Sequence, residues 1–105
     1  MSPLLKSELD RILAIIKTKY RPEKVIFYGS AASGRTNADS DLDLVIIKQT
    51  TSRFYDRIGE VLRLTQPSSA VDLLVYTPQE YETLKHTSWF IGEEIDKKGK
   101  VLYAV

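Results

Sequence analysis

Residues 29–44 read GSAASGRTNADSDLDL and follow the apolar run Val25-Ile26-Phe27-Tyr28. The run has the length and composition of a short buried strand, and Gly29 ends it. Ten residues separate Ser30 from Asp41-Leu42-Asp43. From Asp41 the chain runs DLDLVIIK to Lys48, a second strand. On it Asp41, Asp43, Val45 and Ile47 share one face, and Leu42, Leu44 and Ile46 share the other. Apolar residues on both faces predict a central strand covered on both sides.

The flanking segments supply the covering layers. Leu5, Leu9, Ile12, Leu13, Ile16 and Tyr20 recur at helical spacing. Ser2 and Pro3 suit an N-cap and a first turn, and Pro22 stops the helix near Tyr20-Arg21. A helical turn is expected over 31–36, its free N–H groups near Gly29-Ser30, followed by loop chemistry in Asn37-Ala38-Asp39-Ser40. Phe54, Ile58, Val61, Leu62 and Thr65 predict an amphipathic helix from about 52 to 64. Pro67-Ser68-Ser69 is a turn, and residues 70–76 (AVDLLVY) read as a third strand. Thr77-Pro78-Gln79-Glu80 is a capping box that opens a helix to about residue 85. A last helix over 88–98 carries Phe90, Ile91 and Ile95; Gly99 is placed to end it, and 101–105 is a candidate edge strand. The fold class is α/β (α+β): one domain over 1–105, with a mixed sheet of three to four strands flanked by helices.

Two carboxylates at the start of an otherwise apolar strand need an explanation. Desolvating an ionised carboxylate costs several kcal/mol, so Asp41 and Asp43 call for a cation. Mg²⁺ takes a few carboxylates and fills its remaining positions with water and substrate phosphate. Asp72 interrupts the third strand in the same way. If that strand lies beside the second, three carboxylates converge on one or two metals, the arrangement for in-line nucleotidyl transfer. Asp72 then also has the chemistry to accept a nucleophile's proton. The bland alternatives are that Asp41 caps the loop, Asp43 pairs with a surface lysine and Asp72 answers Arg53 or Arg57. A glycine-serine turn lets a backbone approach an anion closely. Taken together, the turn and the carboxylates predict a site for a metal-bound nucleoside triphosphate.

Composition narrows the classes. The 105 residues favour one domain. With 15 basic and 14 acidic residues the net charge is +1, which argues against a direct nucleic-acid binder working through a large basic surface. The absence of cysteine removes disulfide scaffolds and thiolate metal sites. Early charges at Lys6, Glu8 and Asp10 leave no signal-peptide core, and no apolar run is long enough to span a bilayer. A cytoplasmic protein without membrane contact is expected.

Gly-Ser, ten residues, Asp-x-Asp resembles the signature of the minimal nucleotidyltransferases, small domains of the DNA-polymerase-β-like superfamily. FYGSAASG, SDLDLVII and VDLLVY look like its three catalytic strands, and YETLKHTSWFIGEEIDKKGKVLY is similar to its usual ending. The resemblance implies phosphate binding by Ser30 and the Gly29 backbone. It implies metal binding by Asp41 and Asp43, and metal or base duty for Asp72. Ser40 precedes the pair, as serine often does in the family, and orients the loop or touches the nucleotide. Many relatives carry arginine or lysine at places matching Ala31 and Ser33, which are small and neutral here. Arg35 either reaches the triphosphate instead or is an ordinary solvated residue.

The family is often paired with a HEPN-domain protein, a helical ribonuclease toxin. In that pairing the nucleotidyltransferase is the antitoxin, transferring AMP from ATP to a toxin tyrosine. The resemblance therefore implies a Mg²⁺-dependent, ATP-using protein adenylyltransferase (AMPylation), with two Mg²⁺ ions, a HEPN toxin as partner and a hetero-oligomeric assembly. A chain this short is expected to need that partner to complete its site. Two alternatives stand beside it: a non-catalytic nucleotide-binding antitoxin that acts by occlusion, and a small-molecule nucleotidyltransferase. Tyr81, Trp89, Phe90 and Tyr103 are candidates for a docking surface, with core positions as the alternative. His86 is read as a surface residue at a helix end, and Arg53, Arg57 and Arg63 as a solvated helix face.

Overall fold

Ser2 opens the first helix, its hydroxyl accepting the Leu5 N–H at 3.1 Å, and Pro3 occupies the first turn. The computed structural model describes residues 1–34 and 41–105. Helix α1 (Pro3–Ile15) continues into a π-helical turn, Ile16–Tyr20. Strand β1 (Lys24–Tyr28) leads directly into a short helix, α2 (Gly29–Ala32). Strand β2 (Leu42–Ile47), helix α3 (Phe54–Thr65) and strand β3 (Val71–Tyr76) follow. Helix α4 (Pro78–Thr87), a π-helical segment (Phe90–Lys97) and strand β4 (Lys100–Ala104) complete the order.

The sheet has four strands in the order β3-β2-β1-β4. β2 runs antiparallel to β1 and parallel to β3, and β4 is antiparallel to β1. The sheet is therefore mixed and flanked by helices, as the patterning predicts. Both of its faces are covered. Val25, Phe27, Leu42, Leu44 and Ile46 pack with Leu5, Leu9, Ile12 and Ile16 of the first helix and Val61 of α3. On the opposite face Ile26, Val45 and Ile47 meet Tyr81 of α4 with Ile91 and Ile95 of the π-helical segment. Burying each such aliphatic side chain contributes about 1.5–3 kcal/mol. This double covering is the reason β2 reads as apolar on both faces.

Several boundaries differ from the sequence expectation. The first helix ends in a wide turn in which the Arg21 N–H reaches the Ile16 carbonyl at 2.9 Å, with Arg21 in the left-handed region at φ 59°. α3 begins at Phe54 rather than near 52, because the Ser52 hydroxyl donates to Glu60 at 2.7 Å and does not cap the helix. The Thr77–Glu80 capping box forms as expected, and α4 runs on to Thr87. Gly99 has no room for a Cβ, which would press on the Ile95 carbonyl and the Ile26 side chain. Among the described residues no helix is long and apolar enough to cross a membrane.

Arg57 does not lie on a solvated face. Only 6% exposed, it donates to the Glu80 carboxylate at 2.7 Å, the Val75 carbonyl at 3.1 Å and the Ser52 carbonyl at 2.9 Å. It ties α3 to β3 and α4, and its carboxylate partner is Glu80 rather than Asp72. Tyr81 is likewise buried, its hydroxyl donating to Asp96 at 2.8 Å, so it belongs to the core and not to a docking surface.

Candidate active site

The register of the sheet assembles the site. Asp43 pairs with Tyr28 across β1 and β2, and with Asp72 across β2 and β3. Paired residues on adjacent strands project to the same face, so Tyr28, Asp43 and Asp72 form a row across three strands. The parallel ladder starts just before this row, where the Leu42 N–H donates to the Ala70 carbonyl at 3.0 Å. Asp72 is exposed and Asp43 half-buried, so the row opens to solvent on one side.

Electrostatics mark Asp43 as the strained member. Its carboxyl is pushed up to about 6, first by burial, then by the neighbouring Asp72 carboxylate and by Asp41. Tyr28 is pushed up to about 12 by burial and by the negative fields of Asp43 and Asp72. The repulsion between the two adjacent carboxylates adds to burial in disfavouring the ionised form of Asp43.

The turn after β1 fits closely against this pair. Gly29 adopts φ +83°, a region that favours glycine, and a Cβ there would collide with the Asp43 carboxylate. Within the turn the Ser33 N–H donates to the Gly29 carbonyl at 3.1 Å, and the Ser33 hydroxyl to the Ser30 carbonyl at 3.0 Å. Ser30 is exposed. A cleft of about 320 Å³ lies beside it, lined by Gly29, Ser30, Ala32, Ser33, Glu94 and Lys98.

The expected site residues divide as follows. Gly29, Ser30, Asp43 and Asp72 are brought together. Asp41 is exposed and precedes the β2 ladder. Arg35 and Ser40 lie outside the described residues. Among the described residues no group of three or more His, Cys, Asp or Glu side chains is gathered into a metal-holding cluster. Asp43 and Asp72 nevertheless suit Mg²⁺: they are hard oxygen donors side by side, and the Asp72 carboxylate disfavours the ionised form of Asp43, which a cation would relieve. Tyr28, Glu94 and Lys98 were missed by the sequence reading. Tyr28 was legible as the last strand residue before the turn; Glu94 and Lys98 come from a distant helix and gave no local signal.

The flanking aromatics separate into different roles. The Phe90 ring meets Tyr28 edge-on at 5.8 Å and is 43% exposed, while Trp89 is 71% exposed beside it. Tyr103 is half-buried against the core. His86 is exposed at the end of α4, 3.4 Å from Glu82.

Comparison with known proteins gives this geometry a family. No curated protein sequence matches the chain. A solved structure described as "Crystal structure of the toxin-antitoxin with AMP-PNP" shares its fold with a TM-score of 0.54 and 15% identity, over 95% of this chain and 73% of that one. The family described as "Polymerase beta, Nucleotidyltransferase" matches residues 10–104. That span includes the whole sheet, the Gly29-Ser30 turn and all three carboxylates, and the chain belongs to this nucleotidyltransferase family.

Proposed function

We propose that the protein is a Mg²⁺-dependent nucleotidyltransferase that acts as an antitoxin, transferring AMP from ATP to a tyrosine of a HEPN ribonuclease toxin. The observation that carries this reading is the Asp43–Asp72 pair in register beside Gly29. The shared fold with a toxin–antitoxin solved with AMP-PNP supports an adenine nucleotide and a toxin partner.

Bound Mg²⁺ supplies charge neutralisation for the triphosphate and polarises the reacting oxygens. The chain's own residues do the rest. Asp41, Asp43 and Asp72 would hold the cations, and Gly29 with Ser30 would receive the phosphates. The toxin tyrosine oxygen bonds to the α-phosphorus, the bond from that phosphorus to the bridging oxygen breaks, and pyrophosphate leaves. Asp72, the exposed member of the pair, takes the tyrosine proton in this reading, which its exposure supports. Such chemistry rests mainly on positioning and charge stabilisation.

The test is incubation of the protein with α-labelled ATP, Mg²⁺ and its cognate toxin. Label on a toxin tyrosine, absent with Asp43→Asn, supports the reading; an unlabelled toxin refutes it. The neutral residues at 31 and 33, with Ala31 buried, favour a second reading in which the antitoxin acts by occlusion. Neutralisation that survives combined Asp41→Asn and Asp43→Asn supports that alternative.

A further inference from the structure

We infer that Lys98 is the cationic contact for the terminal phosphates of the nucleotide, in the place of the basic residues absent from positions 31 and 33. This inference rests on the nucleotidyltransferase reading of the site. The cleft beside the Gly29-Ser30 turn has its second wall in the π-helical segment, which contributes Glu94, and in Lys98 just after it. Among the described residues that line the cleft, Lys98 is the basic one. The wide turn at the end of this segment, closed by the Lys98 N–H to the Glu93 carbonyl at 3.2 Å, sets where the Lys98 side chain leaves the backbone. Its ammonium rests on Glu94 at 3.0 Å; the Lys98 side chain is 65% exposed and the Glu94 side chain 37%.

The arrangement offers a triphosphate two charge partners around one glycine. Asp43, packed against Gly29, and Asp72 beside it would hold the cations that neutralise the phosphates nearest the reacting centre. Lys98 lines the cleft into which Gly29 and Ser30 open, and would meet the tail of the triphosphate there. An exposed lysine–glutamate pair is worth little in water, so Lys98 exchanges Glu94 for phosphate at small cost. Ammonium-to-phosphate contacts are charge-assisted and stronger than neutral ones.

Titration of the full chain with Mg²⁺·ATP and with pyrophosphate tests the assignment. Lys98→Met is expected to weaken both about tenfold, to raise KM for ATP more than it lowers kcat, and to leave the melting temperature unchanged; Lys98→Arg restores binding. Glu94→Gln is expected to bind ATP at least as tightly as the wild type. Unchanged ATP and pyrophosphate affinity in Lys98→Met, with binding still lost in Asp43→Asn, overturns the role of Lys98 and leaves the site reading standing. Wild-type protein that binds neither ligand overturns both.

Discussion

The carboxylate of Asp43 occupies the space in which a side chain at Gly29 would begin. The turn and the carboxylate are thus parts of one packed unit, joined by the antiparallel pairing of Tyr28 with Asp43. Gly29→Ala is expected to fail twice: through its left-handed φ, at about 1 kcal/mol, and by displacing Asp43. Nucleotide transfer should fall at least tenfold while the circular dichroism spectrum stays folded. Activity within twofold of wild type would show that Asp43 has room to move.

Asp43 also sets a pH dependence. Its folded value of about 6 lies above its ordinary 3.8, so the protonated form is the one that folding favours. That contribution is fully present below about pH 3.8 and is lost as the pH rises through 6. Without metal, Asp43→Asn should therefore melt higher than wild type at pH 7.5, by on the order of 1 kcal/mol after allowance for solvent screening. The two should converge near pH 4, where both carry a neutral side chain. Added Mg²⁺ should stabilise the wild type at pH 7.5 and leave the variant unmoved. Equal melting at both pH values would remove the charge conflict from the site.

The strands and the Gly-Ser and Asp-x-Asp motifs were legible because each is written in consecutive residues. Asp72 was legible as a charge inside an apolar run, although only the parallel register sets it beside Asp43. Arg57 was misread because helical spacing shows only which residues share a stripe. Nothing local reveals that Glu80, 23 residues on, returns to meet it. Lys98 was invisible for the same reason, since its proximity to Gly29 depends on the packing of the last helical segment against the sheet. The wide π-helical turns escaped as well, because their apolar spacing reads as ordinary helix.

Glu8 provides an acid-sensitive tie. Buried in α1, it accepts from Arg11 at 2.8 Å and from the Ser68 backbone, while Arg11 reaches the Gln66 carbonyl at 3.2 Å. These contacts fasten α1 to the turn that feeds β3. The Arg11 hydrogen bond, outweighing burial, holds the Glu8 carboxyl down at about 2. A depressed carboxylate stabilises the fold above its unfolded value of 4.5 and loses that contribution as the pH falls through 2. Glu8→Gln should lower stability by a constant amount at neutral pH, and the gap from wild type should close between about pH 4.5 and 2 in denaturant titrations. A gap that persists at pH 2 would assign the loss to packing rather than charge.

Arg57 separates stability from catalysis. Its removal leaves the Val75 and Ser52 carbonyls without their guanidinium donor and frees Glu80 from its ion pair. Arg57→Met is expected to cost about 2–3 kcal/mol, read from the urea midpoint, because a buried guanidinium that donates to a carboxylate and two carbonyls is lost. Arg57→Lys should recover only part, since an ammonium cannot reproduce the planar fork that spans Glu80 and Val75. Val75 lies three residues along β3 from Asp72 and on the other face of the sheet, with the α1 and α3 core. Transfer activity per folded molecule should therefore stay within about twofold of wild type at a temperature where the variant is folded. A larger loss of activity at full folding would mean that the α3–β3–α4 tie holds the Asp72 end of the strand in place.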